Sequence, residues 1–165
     1  MRAFMIIAVF LLTACTLQPK VTQRVDLWAG FAELITAEHE ILRDRTAIMT
    51  ARGIMIAKNG QRRFGVLTSL RRLGRNGPII MHMSSGDTRL DYRRHDRLLT
   101  QCADRCRRTE TGVIIMTEKA FRIASQTGLP LRVQGRRGRY ETHVPAALFQ
   151  QTLSALSSGG LASAE

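Results

Sequence analysis

The chain has 165 residues and carries 25 Lys and Arg against 13 Asp and Glu, a formal net charge of +12. That length suits one domain with its own core and leaves little room for a second. A balance of this sign points to anionic partners. With aromatics at 5%, however, the chain has only a thin stacking platform for nucleic acid, which is therefore not the expected ligand.

At the start of the chain, Arg2 supplies a positive residue, Ala3 to Leu12 an apolar run of ten, and Thr13-Ala14 a small-residue approach to Cys15. Ten apolar residues are about half of the roughly 20 needed to span a hydrocarbon core. Leu12-Thr13-Ala14-Cys15 resembles the lipobox of bacterial lipoproteins. The resemblance implies that residues 1–14 are a signal peptide, that cleavage precedes Cys15, and that the cysteine sulfur and amine carry acyl chains. Residues 15–24 are then the lipidated cysteine and a short linker, and the bilayer is a partner through Cys15. Thr16, where inner-membrane retention needs Asp, implies the periplasmic face of the outer membrane rather than the inner one. Two or three acyl chains anchor durably where one holds only marginally.

Without residues 1–14 the net charge is +11, and it is unevenly placed. Residues 43–139 hold 22 basic and 7 acidic side chains, a local balance of +15. Of the cationic residues in the whole chain 22 are Arg, whose guanidinium fork binds phosphates and carboxylates bidentately. The linker from Thr16 to Arg24 reaches at most about 30 Å. A basic domain held that close meets anionic lipids, lipopolysaccharide or peptidoglycan as candidate partners, alongside an envelope protein.

The elements beyond the linker read as an α+β domain over residues 25–156. Val25, Leu27, Trp28, Phe31, Leu34, Ile35, Ile41 and Leu42 recur at three-to-four spacing, which predicts an amphipathic helix from Val25 to Arg43 despite Gly30. From Thr46 the period changes to two. Asn59-Gly60 between Thr46–Lys58 and Gln61–Leu70 is a strong hairpin signal, because a type I′ turn needs positive φ at both positions. Ile79–Met83, a turn at Ser84–Asp87 and the alternating Thr88–Arg93 extend this to an antiparallel meander over 46–94. A short strand at Val113–Met116, a helix opened by Thr117 and ended by Gly128, a hairpin around Gly135–Gly138 and a closing helix from Pro145 to Leu156 follow. Residues 157–165 read as a disordered tail.

Cys102 and Cys106 are the only other cysteines. In an oxidising compartment such a pair reads first as a disulfide, since Cys-x3-Cys with a distant His95 is neither a convincing zinc pattern nor a Cys-x-x-Cys redox motif. The order of cysteine pair, strand, helix, glycine-turned hairpin and terminal helix over about Cys102 to Leu156 resembles the layout of small periplasmic domains of the invasion-associated locus B type. It implies no site residue.

Signatures of chemistry are sparse. His82 or His95 with a nearby Ser or Asp is the only enzyme-like grouping, suggesting a small hydrolase. Yet triad members normally come from separate elements, and no Gly-x-Ser-x-Gly elbow is present. No cofactor or metal motif is evident. The expected anion-binding residues are Arg62, Arg63, Arg71, Arg72, Arg89, Arg93, Arg94, Arg136, Arg137 and Arg139, sharing one basic surface. The leading expectation is a non-enzymatic envelope binding or structural protein. An accessory subunit docking through Trp28 and Phe31 is the other alternative.

Overall fold

A computed structural model describes residues 21–26, 30–45, 47–73, 80–95, 99–102, 106–135 and 138–158. Among them, long antiparallel strands dominate and two helices pack at one end, which agrees with an α+β class weighted toward β. The elements are β1 (Thr22–Asp26), β2 (Phe31–Ile35), β3 (His39–Arg43), β4 (Ala47–Lys58), β5 (Gln61–Leu73), β6 (Ile80–Ser85), β7 (Thr88–Arg89), β8 (Asp91–Arg94), β9 (Leu99–Cys102), β10 (Cys106–Met116), α1 (Glu118–Thr127), β11 (Leu129–Gly135), β12 (Gly138–Val144) and α2 (Ala146–Ser158).

The large sheet runs β1-β2-β4-β5-β10-β8, with β3 also on β4 and β9 also on β10. β2 and β3 lie along one edge of β4 in succession, as do β8 and β9 along β10. The small sheet runs β12-β11-β6-β7. The sheets meet at two margins. At one, the Leu90 N–H beside β8 donates to the Met83 carbonyl on β6 at 2.9 Å; at the other, the Thr142 hydroxyl of β12 donates to the Ile41 carbonyl of β3. One core fills the space between, with Met49, Val66, Met83, Ile114 and Val133 at most 1% exposed.

The sequence-predicted hairpin at Asn59-Gly60 forms, with φ of 49° and 74° at the two turn residues. The Thr117–Gly128 helix forms as well. Thr117 caps α1 through its hydroxyl, which accepts from the Ala120 N–H, and Gly128 ends it at φ 74°. The hairpin of β11 and β12 and the closing helix also lie where the turn residues place them. That helix runs to Ser158, so Ser157 and Ser158 are helical, and the remainder of the expected tail lies outside the described residues.

Two expectations are corrected. The described residues of the Val25–Arg43 stretch form strands β1, β2 and β3, not an amphipathic helix; Leu27, Trp28 and Ala29 lie outside the description. Gly30, at φ 56°, makes the turn into β2. Ala32, Leu34 and Thr36 point to the core, while Phe31 and Ile35 sit half-buried on the outer face. Because both faces carry apolar residues, the pattern imitates helical spacing. The meander over 46–94 is also broken: β5 takes β10 as its second neighbour, and β6 leaves to pair with β11.

The helices cover the far end of the core. Phe121 on α1 touches Phe64 on β5 and Phe149 on α2, with ring centroids 5.1 Å and 4.9 Å apart. α2 approaches β4 closely because Gly53 has no side chain. A methyl there would collide with the Thr152 hydroxyl and the Leu148 side chain, and would lie 3.2 Å from the Leu148 carbonyl. Gly53→Ala is therefore expected to destabilise the fold by about 1–3 kcal/mol through overpacking, read as a lower urea midpoint with an unchanged slope.

Candidate anion-binding site

Alternation along β5 directs Phe64, Val66, Thr68, Leu70 and Arg72 to the core side. Arg72 is thus an inward guanidinium at the end of the strand. Its register partners are Ala47 on β4 and Arg108 on β10. Its Cζ lies 5.3 Å from the ring centroid of Tyr140 on β12, a cation–π arrangement. Nε and Nη1 are sealed from water and make no hydrogen bond among the described residues. Buried charge is normally paired, because desolvation costs several kcal/mol per ion. Arg72 has no carboxylate partner among the described residues.

The nearest buried acid is committed elsewhere. Glu110 on β10 is 3% exposed. Its Oε2 accepts the Ile80 N–H at 2.9 Å, and its Oε1 accepts from Arg94 Nε at 3.1 Å and forms an ion pair with Nη2 at 3.0 Å. Tyr92 on β8 lies across Gly112 of β10, where a side chain would occupy the ring's place. Its hydroxyl is buried near Thr68 and Glu110 without a hydrogen bond of good geometry. Burial, and then the neighbouring Glu110 charge, push the Tyr92 pKa well above the usual tyrosine value.

The eight candidate arginines among the described residues do not share one surface. Arg62 and Arg63 stand at the Asn59-Gly60 end of β5, ten and nine residues from Arg72 and so about 30 Å away along the strand. Arg89 is exposed on β7. Arg93 is exposed and held by Asp91 at 3.1 Å, and Arg94 is spent on Glu110. Arg139 bonds Glu141, which Arg132 also reaches at 3.2 Å; the Arg139 hydrogen bond, foremost, holds the Glu141 carboxyl below its ordinary range. Arg71 projects from the outer face of the large sheet and adds to the lowering at Glu38 and Glu40, where hydrogen bonds from Arg52 and Arg43 dominate. Arg136 and Arg137 lie outside the described residues, between β11 and β12. What the fold does bring to one end is Arg71, Arg72 and Arg139, with the chain positions of Arg108 and the β11–β12 turn.

The other singled-out residues are dispersed. His82 is half-buried on β6, and His95 is exposed past β8 on the large sheet, its N–H bonded to the Thr111 carbonyl at 3.0 Å. The fold does not join them. No cluster of three His, Cys, Asp or Glu suited to a metal occurs among the described residues. Cys102 and Cys106 are direct register partners across β9 and β10. Cys15 and Trp28 lie outside the described residues, and Phe31 is half-buried on β2.

The parity of Arg72 with Leu70, Thr68 and Val66 was the signal that separates it from the exposed arginines. Comparison with models of known protein families, with curated proteins and with solved structures finds no match for this chain.

The raised Tyr92 pKa has a defined pH consequence. Its contribution to stability is complete below the unfolded-state tyrosine value of about 10 and is lost as pH rises above it toward the folded-state value. In urea titrations from pH 8 to 11 (about the range where tyrosine begins to ionise), the parent should lose more stability than Tyr92→Phe. Equal losses would contradict this role for the hydroxyl.

Proposed function

We propose that this chain is a lipid-anchored envelope domain whose arginine-bearing end binds a phosphate-bearing component of the bacterial surface. The single observation that carries this reading is Arg72, a guanidinium whose buried Nε and Nη1 lack a hydrogen-bond partner among the described residues and lie against Tyr140. An anion approaching past the Gly135 and Gly138 ends of β11 and β12 completes that guanidinium, with Arg139 nearby to steer it. The lipobox-like Leu12-Thr13-Ala14-Cys15 and the short linker support placement beside the outer membrane, where lipid and lipopolysaccharide phosphates are concentrated.

Retention of the full chain on vesicles containing phosphatidylglycerol, compared with neutral vesicles over a salt series, tests the reading. Arg72→Gln should weaken retention about tenfold, the worth of a charge-assisted hydrogen bond, and make its salt dependence shallower. Retention that ignores both salt and Arg72 would overturn it. Lipopolysaccharide used in the same assay separates the two phosphate sources.

The Cys102–Cys106 pair is proposed to close as a disulfide. Directly opposed antiparallel residues have Cα atoms about 4.5–5.5 Å apart, inside the span a disulfide bridges. Alkylation of the exported protein before reduction should label neither cysteine, and alkylation after reduction should label both. Labelling without a reductant would sink the assignment.

A further inference from the structure

The outer face of the large sheet carries an apolar groove that no described element covers. Alternation places Ile54 and Ile56 of β4, Gly65 and Leu67 of β5, and Val113 and Ile115 of β10 on this face, in neighbouring register. Gly65 is the floor. A Cβ there would lie 3.1 Å from Val113 Cγ1 and 3.5 Å from Ile54 Cγ2, so those two side chains form the walls. Ile115 stays 38% exposed at the rim, whereas Ile54 is reduced to 8% by its neighbours.

The margin of the groove is polar and mainly cationic. Arg63 stands on one side, with no ion pair among the described residues, and Arg93 and His95 stand on the other. Glu33 is the carboxylate lining it. The backbone beneath offers nothing to a polar ligand, because β4, β5 and β10 are each hydrogen-bonded on both sides. A peptide strand therefore has no ladder to join, and recognition must come from aliphatic contact along the floor and a cation at the rim. The open groove offers about 470 Å³. A methylene occupies roughly the 30 Å³ share of a water molecule, which gives room for on the order of fifteen carbons.

From this complementarity we infer that the groove binds a long-chain fatty-acid carboxylate. The carboxylate lies against Arg63, and the acyl chain runs over Gly65 between Ile54 and Val113 toward Ile115. The site is distinct from Arg72, which faces the core near the opposite end of β5.

Titration calorimetry of the full chain with myristate, kept below its micellar concentration, tests the inference. Saturable one-to-one binding is expected. Ile115→Asp should weaken it at least about tenfold, since a charge replaces aliphatic contact. Arg63→Gln should weaken it about tenfold, through loss of a charge-assisted bond. Arg72→Gln should leave it unchanged, which separates this site from the phosphate reading. Ile115→Asn serves if the aspartate variant fails to fold by circular dichroism, and should also weaken binding. Absence of saturable binding, equal binding of a tetradecyl ammonium amphiphile, or indifference to both Ile115 variants would overturn the inference. So would a parent dimer that Ile115→Asp converts to a monomer in sedimentation, since that outcome assigns the face to a second copy.

Discussion

The Glu110 carboxylate holds this fold together in a way that no apolar contact does. It sits on the interior strand β10 of the large sheet, receives the backbone N–H that opens β6 in the small sheet, and takes a hydrogen bond and an ion pair from Arg94 on β8. A buried carboxylate is costly to desolvate, and only a full set of donors in good geometry offsets that cost. The donors come from elements far apart in the chain. Their convergence fixes where β6 departs from the large sheet and where β8 returns to it. The packing of Tyr92 over Gly112 lies in the same neighbourhood and depends on that return.

The same commitment explains why Arg72 is left without a counter-charge. Glu110 is the buried carboxylate in this part of the core, and the exposed Arg94 reaches in to take it. The π face of Tyr140 gives partial compensation, weaker than an ion pair. Elsewhere the positive charge is moderated by exposed pairs such as Arg43–Glu40, Arg52–Glu38 and Arg122–Glu118, each of small energetic value. A net charge of +12 therefore does not translate into a uniform basic coat. It resolves into dispersed, partly neutralised surface charge and one guanidinium inside the protein.

Local signals were legible and long-range ones were not. Asn59-Gly60, Thr117 and Gly128 act through their own φ values and hydrogen bonds, so their turns and caps follow from the residues alone. Phe31 and Ile35 misled because an outer sheet face is apolar here, and two apolar faces at period two overlap with one stripe at period 3.6. The partner of β6 could not be read, since β11 lies across five intervening elements and no local rule selects it. At the candidate site, Arg71 and Arg72 look alike as a dipeptide, and only strand parity sends one outward and the other to the core. Glu110 carries the same hidden information through its parity with Gly112 and Ile114.

The order in which the strands find each other has a kinetic consequence. β5 is completed only by β10, and β6 only by β11, so neither sheet closes until the last third of the chain is present. Contacts of such sequence separation slow folding, because loop closure must precede the contacts that stabilise it. During synthesis β1 to β5 emerge first, and the outer edge of β5 stays unsatisfied until β10 follows. An unfinished chain is thus vulnerable to sticking to its neighbours until β10 arrives.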